Sequence, residues 1–295
     1  MISKDSNIMS TINDLLDYGK KQLELSGNEY AKYERKVLLE HVLKVNYMYM
    51  LMNGDETVHE DRINEYKRLI ELRCGHYPLQ YIIGEAHFMD YTFFVNENVL
   101  IPRNDTEVLV ETVNELLDNP QILSENRNGG LKVLDLCCGS GCIGISFKLY
   151  HRDTKLTLSD ISKDALAVAR KNLERHGIED ADINCGDLFE NNTDSYDIIL
   201  CNPPYIESAV VETLMPEVKD YEPHIALDGG EDGLDYYKRI IDESIAHLED
   251  NGYIFFEIGY NQGKAVSDLM ENRGFSDVKL VKDYAGLDRV VYGHL

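Results

Sequence analysis

A chain of 295 residues has room for one large domain and a smaller one, and 43% hydrophobic with 28% charged residues is the balance of an ordinary globular protein. Its formal net charge is −24, and most of that is carried late: residues 1–85 hold 11 basic and 14 acidic side chains, the remainder 18 and 39. With no useful run of Lys or Arg, the acidic part disfavours a polyanion, so direct binding of nucleic acid is not expected.

No apolar run reaches the ~18 residues of a membrane span, and MISKDSNIMS lacks the apolar stretch of a signal peptide, so no membrane association and a cytoplasmic location are expected. Residues 1–85 read as a helical bundle. Apolar positions recur at helical spacing through Ile12, Leu15, Leu16 and Leu23, through Val37, Leu38 and Val42, and through Ile63, Tyr66, Leu69 and Ile70. Breaks fall at Ser26-Gly27-Asn28, Asn53-Gly54-Asp55 and Cys74-Gly75-His76-Tyr77-Pro78. No catalytic constellation lies here; the bundle is a structural cap or a module that docks a partner.

Residues 86–101 change character. The aromatic, β-branched run His87–Val95, then Asn96-Glu97-Asn98, then Val99-Leu100-Ile101, predicts a hairpin that links the two domains. From 102 to 295 the pattern is that of the larger domain. A helix follows Pro102-Arg103-Asn104, capped by Asp105 or Thr106 and burying Val108, Leu109, Val113, Leu116 and Leu117. Residues 118–130 read as a loop. Strand and helix then alternate: strand 131–136, a small-residue loop, a helix to about Tyr150, strand 155–159, a helix capped by Ser162, strand 181–184 and strand 196–201. A loop through Gly233, a helix over about 234–249, strand 252–258, a helix over 261–273 and strands 275–281 and 289–292 complete it. Repeated βα units of this length predict an α/β fold with a doubly wound, mostly parallel sheet.

Two stretches carry chemistry. The first is the loop Cys137-Cys138-Gly139-Ser140-Gly141 after the first strand of that alternation, with Asp160 closing the second strand 25 residues after Asp135. That is a nucleotide-binding arrangement in which glycines admit the ligand to the backbone and the acid accepts from ribose hydroxyls. The loop lacks the last glycine of a dinucleotide fingerprint, Asp135 precedes it, and Gly186-Asp187 is placed to meet an adenine amine. These features favour S-adenosylmethionine over NAD as cofactor. The six cysteines read as free thiols, and the cluster Cys137, Cys138 and Cys142 fits no zinc spacing, so no metal is expected.

The second stretch is Tyr196-Asp197-Ile198-Ile199-Leu200-Cys201-Asn202-Pro203-Pro204-Tyr205. A buried strand stops at two prolines that cannot continue a ladder, and delivers an amide, rigid carbonyls and a ring to the sheet's carboxyl edge. An amide or aryl-amine nitrogen is a poor nucleophile. Two acceptors, the Asn202 side-chain oxygen and the Pro203 carbonyl, would align it for methyl transfer, with Tyr205 stacked on the planar group.

Over nearly its whole length the chain resembles the protein-glutamine N5-methyltransferases that modify peptide chain release factors, the HemK/PrmC family. The likeness rests on Pro78-Leu79-Gln80-Tyr81-Ile82-Ile83-Gly84, Ile101-Pro102-Arg103-Asn104-Asp105-Thr106-Glu107, the glycine loop, Asn202-Pro203-Pro204-Tyr205, and Tyr221-Glu222-Pro223 through to Gly230-Glu231-Asp232-Gly233-Leu234. The resemblance implies a helical N-terminal domain, a hairpin linker and a Rossmann-like class I methyltransferase domain of seven strands, the last antiparallel. It implies a release factor as partner, and as substrate the glutamine of its Gly-Gly-Gln tripeptide. It places the cofactor on residues 137–141, Asp160, Leu188 and Asn202, and the glutamine amide on Asn202 to Tyr205. Three positions depart from the family pattern: Cys137 stands for the loop's first glycine, Asn104 for a proline, and Leu188 where an aromatic is common. The alternatives are an N-methyltransferase of an exocyclic base amine in DNA or RNA, which uses the same amide clamp, and a silent cofactor-binding protein.

Overall fold

The computed structural model describes residues 10–118 and 130–295, so the sequence readings on residues 1–9 and 119–129 lie outside the described residues. The chain divides into two compact units, Met1–Gly84 and Glu85–Leu295. In the first, helices α1 (Ile12–Leu25), α2 (Ala31–Leu43) and α4 (Glu60–Cys74) pack around Leu15, Leu23, Leu38, Tyr66 and Ile70, with short α3 (Tyr47–Met52) and α5 (Leu79–Ile83). Helix α1 starts in a capping box, Thr11 Oγ1 accepting the Asp14 N–H while the Asp14 carboxylate accepts the Thr11 N–H. An ion pair crosses this core: Arg73 donates to both oxygens of Glu34 at 2.7 and 3.1 Å, and Asn28 adds a third bond at 2.6 Å.

The second unit begins with a hairpin of β1 (Glu85–Phe88) and β2 (Tyr91–Phe94). The sequence reading placed its turn at Asn96-Glu97-Asn98; it lies at Met89-Asp90 instead, and 99–101 form no strand. Met89 takes φ +51°, and its N–H donates to Glu107 Oε1 at 2.6 Å, so a contact 18 residues away selects the turn. Helix α6 (Asn104–Leu117) begins one residue earlier than the expected cap. Arg103 is the extended N-cap residue, and Asp105 and Thr106 lie inside the first turn.

The seven-stranded sheet comprises β3 (Lys132–Leu136), β4 (Lys155–Asp160), β5 (Asp182–Cys185), β6 (Tyr196–Cys201), β7 (Leu248–Glu257), β8 (Ser276–Lys282) and β9 (Asp288–His294), in the order β5-β4-β3-β6-β7-β9-β8. Strands β3 to β7 are mutually parallel and β9 runs against both its neighbours. Side-chain alternation sorts the strands into two cores. Val133, Leu158, Ile198, Leu200 and Phe255 face α6, α7 (Cys142–Tyr150) and α8 (Lys163–Arg175). Leu134, Leu136, Ile199, Ile254 and Phe256 face α11 (Asp235–Ser244) and α12 (Gly263–Asn272).

Between β6 and α11 the expected loop contains two single-turn helices, α9 (Ser208–Val211) and α10 (Pro216–Lys219), and a 3-10 turn at His224–Ala226. Helix α11 ends at Ser244 rather than about 249, because β7 begins at Leu248, paired with Tyr196.

Two buried charges in these cores are open to measurement. Glu34→Ala leaves the Arg73 guanidinium in the helical core without that carboxylate, and is expected to lower the unit's stability in urea by about 3 kcal/mol; an unchanged midpoint would remove the pair from the accounting. Asp135, fully buried, takes the Gly144 N–H at 2.8 Å on Oδ2, while Oδ1 has no partner. Burial pushes its carboxyl up to about 7 from an ordinary 3.8, against the pull of the Gly144 N–H and with a further push from Asp160. The folded state therefore keeps a proton that the unfolded chain releases near pH 4. Its contribution is whole below that pH and is lost as pH rises through about 7. Asp135→Asn is expected to gain about 2 kcal/mol on the parent between pH 5.5 and 8 in urea unfolding. An offset equal at both values would exclude this titration.

Candidate active site at the carboxyl edge of the sheet

Strand register decides what meets at the sheet's edge. Leu136 is opposite Ser159 on one side and Cys201 on the other, so the next residues, Cys137, Asp160 and Asn202, emerge together. Asp160 is in turn opposite Cys185, which brings Gly186-Asp187-Leu188 alongside. Because β3 sends its chain to β4 on one side and has β6 on the other, this is the sheet's topological switch point, where open α/β folds bind ligands.

A cleft of about 970 Å³, counted out to its mouth, occupies that edge. Cys137, Cys138, Gly139 and Ser140 line one wall, with Asp160, Asp187 and Leu188 beyond them. Gly141 is the N-cap of α7. Cys137 takes φ +60°, the left-handed conformation that glycine adopts freely, so the loop keeps a glycine-like path without the glycine. Leu188 is likewise at φ +52°. Asp160 fixes the loop: its Oδ2 accepts the Gly139 N–H at 2.9 Å and its Oδ1 the Ser162 N–H at 2.8 Å. Burial pushes the Asp160 carboxyl up, opposed by the Ser162, Gly139 and Ile161 N–H groups.

S-adenosylmethionine fits these groups. The space where a Gly139 Cβ would stand is open for 4 Å, so a ligand can lie against that backbone. Asp160 offers acceptor lone pairs to ribose, and Leu188 and Ile161 supply apolar walls for a base. The Asp187 carboxylate is engaged on Oδ2 by Arg239 at 2.9 Å, a partner the sequence did not suggest.

The Asn-Pro-Pro-Tyr segment is braced from behind. Asn202 and Pro204 face the cleft and Pro203 is buried. Tyr205 is half-buried, and its hydroxyl donates to Glu257 Oε1 at 3.2 Å. Burial, with Glu257 beside it, raises the Tyr205 hydroxyl, which stays protonated. Gln262 Nε2 donates to the Tyr205 carbonyl at 2.9 Å and to that of Gly233 at 3.1 Å. A Cβ on Gly233 would lie 2.4 Å from the Tyr205 carbonyl oxygen, and φ there is +68°, so only glycine permits this approach.

Three supports escaped the sequence reading. Glu222 receives Arg103 in an ion pair and the Ile101 N–H at 3.3 Å, which ties the Ile-Pro-Arg and Glu-Pro segments together across 119 residues. Thr106 lines the cleft, its hydroxyl 3.5 Å from Asn202 Nδ2. Glu257 ends the apolar run Tyr253-Ile254-Phe255-Phe256, and a carboxylate closing that buried run was the one signal available in sequence. All six cysteines are free thiols.

Comparison with known proteins now bears on this geometry. The family model of the methyltransferase small domain matches residues 106–218, and that of the PrmC N-terminal domain matches residues 14–84. A protein of Clostridium acetobutylicum named release factor glutamine methyltransferase is 39% identical over 95% of this chain and 97% of its own. One of the same name from Geobacter sulfurreducens is 36% identical over 97% of each. The solved T. thermophilus 16S rRNA N2 G1207 methyltransferase, in complex with AdoMet and guanosine, covers 71% of this chain and 49% of its own at TM-score 0.50 and 18% identity, a likeness of fold alone. A glycine loop and carboxylate at the switch point of a class I methyltransferase sheet, joined to identity that runs the length of both units, show that the chain belongs to the release factor glutamine methyltransferase family, enzymes that use S-adenosylmethionine.

Proposed function

We propose that the end of β6 holds the side-chain amide of the glutamine in the Gly-Gly-Gln tripeptide of a peptide chain release factor while its nitrogen is methylated. When bound, S-adenosylmethionine supplies a methyl group made electrophilic by its sulfonium. The observation that carries the reading is the emergence of Asn202 beside Cys137 and Asp160 at one sheet edge. Asn202 Oδ1 and the Pro203 carbonyl accept the two amide N–H groups, which points the nitrogen lone pair at the cleft. Both acceptors strengthen as the nitrogen gains positive charge, so they favour the transition state over the ground state. Tyr205, anchored on Glu257, stacks on the amide plane and sets its angle.

Residues 137–141 and Asp160 hold the cofactor, Leu188 packs on its base, and Asp187 meets the adenine amine through Oδ1, since Arg239 engages Oδ2. The unit Met1–Gly84 docks the protein substrate. Its sequence is nearly neutral beside the acidic remainder, and Tyr33, Met48, Leu51 and Met52 are exposed on it. Acidity of the catalytic unit suits a protein acceptor better than a nucleic acid.

The test is methyl transfer from labelled S-adenosylmethionine to a purified release factor, beside the same factor with its Gly-Gly-Gln glutamine changed to alanine. Label is expected on the first alone; label on both would place the acceptor elsewhere. Asn202→Ala should lower turnover at least about a hundred-fold with cofactor affinity kept, since it removes one of two acceptors. Gly233→Ala should displace the Tyr205 carbonyl and lower turnover about ten-fold or more, again with calorimetric cofactor affinity near the parent's. Full activity in Gly233→Ala would show that the segment tolerates the shift.

A further inference from the structure

We infer that Tyr236 is a further cofactor-binding residue, which supplies the aromatic contact to the adenine of S-adenosylmethionine; the inference rests on the base position proposed above. Adenine is a flat, polarisable ring, and an aromatic side chain is the strongest apolar partner a protein offers it. The walls assigned to it so far, Leu188 and Ile161, are aliphatic. They exclude water and present no π-face. Among the described residues that line the cleft, Tyr236 is the one aromatic side chain.

The fold brings this ring to the base end of the cleft from α11. Tyr236 is half-buried in the first turn of that helix and packs on the core that holds Leu136 and Leu188. Two contacts fix how the turn lies. Arg239, three residues on and so on the same helical face, donates to Asp187 Oδ2 at 2.9 Å, which holds α11 against the Gly186-Asp187-Leu188 segment. Tyr237 is fully buried; its hydroxyl donates to the Glu257 carbonyl at 2.8 Å and its ring stands edge-on to Phe256 with centroids 5.5 Å apart. With Tyr237 locked into the core, the residue before it is turned about 100° round the helix, out of that core and into the cleft wall. Asp187 and Tyr236 thus stand side by side with complementary offers, a carboxylate oxygen for the base's amine and a ring for its plane. Arg239 serves both, because it holds the carboxylate and the helix that carries the ring.

The experiment measures binding by calorimetry to the full-length protein and to Tyr236→Phe, Tyr236→Leu and Leu188→Ala, with thermal unfolding alongside. The ligands are S-adenosylmethionine and 5′-methylthioadenosine, which keeps base and ribose and lacks the amino acid. Phenylalanine keeps the ring; leucine keeps apolar bulk without it. Tyr236→Leu is expected to weaken both ligands about ten-fold, and Tyr236→Phe to bind both within about two-fold of the parent. Equal losses in the two would give the contact to the hydroxyl and overturn the inference. Parent affinity in Tyr236→Leu, with Leu188→Ala weakened, overturns it too but leaves the base position standing. Parent affinity in both variants would move the base away from this wall, and the inference falls with that position. A loss for S-adenosylmethionine alone would set the ring at the amino-acid end, which also overturns it. Should Tyr236→Leu fail to fold, Tyr236→Trp decides. The chain has no tryptophan, so this variant carries a single reporter, and stacking is expected to quench its fluorescence as 5′-methylthioadenosine is added. A folded variant that binds the ligand without a change in emission overturns the inference.

Discussion

Parallel strands cannot slide past one another without exchanging their faces, because a one-residue slip moves every inward side chain outward. In this sheet both faces are buried, one under α6, α7 and α8 and the other under α11 and α12, so the register of β3, β4 and β6 is held from both sides. Fixed register is what brings Cys137, Asp160 and Asn202 to one edge. Side chains 65 residues apart in sequence become neighbours through backbone pairing alone. The loop glycines, the carboxylate and the Asn-Pro-Pro-Tyr segment have meaning only relative to that edge.

Around the edge the protein buries ionisable groups and gives most of their atoms partners. Glu222 takes Arg103 and the Ile101 N–H, Asp160 takes two loop N–H groups, and Glu257 takes the Tyr205 hydroxyl. Each carboxylate is raised by burial and pulled back by its donors, so its proton affinity reports how well it is satisfied. Asp135 and Glu257 each keep one oxygen without a partner, Oδ1 and Oε2. Unpaired buried oxygens are destabilising, and both belong to residues next to the carboxyl edge of the sheet.

Two of the seven non-glycine residues at positive φ among the described residues stand at the same edge. Cys137 and Leu188, at the ends of the loop-bearing connections, sit in the left-handed region without being glycine. Such conformations cost about 1–2 kcal/mol each and persist where the surroundings over-determine them. Cys137 is held by the strand before it and the Asp160-bound glycine after it; the Leu188 carbonyl is held by Ser159 and Asn192. Cys137 thus follows a path that glycine adopts freely.

Much of this was legible in the chain. Periodicity separated a helical unit from an alternating one, because helices and buried strands bury different sequence spacings. The proline pair after Asn202 marked the end of β6, the glycine loop and Asp160 marked the sheet edge where the cleft opens, and Ser162 marked the start of α8. Local chemistry suffices for these, since a cap, a turn and a strand end are decided within a few residues. What the sequence alone could not place were the contacts over long separations. The hairpin turns at Met89 because Glu107 accepts its N–H. Helix α11 stops short because β7 must begin where Tyr196 can pair with Leu248. Arg103 finds Glu222, and Thr106, expected as a helix cap, lies 3.5 Å from Asn202 instead. Those choices are made by packing and register, which sum over the whole unit, and so the residues of this edge belonged to the sequence while their bracing belonged to the fold.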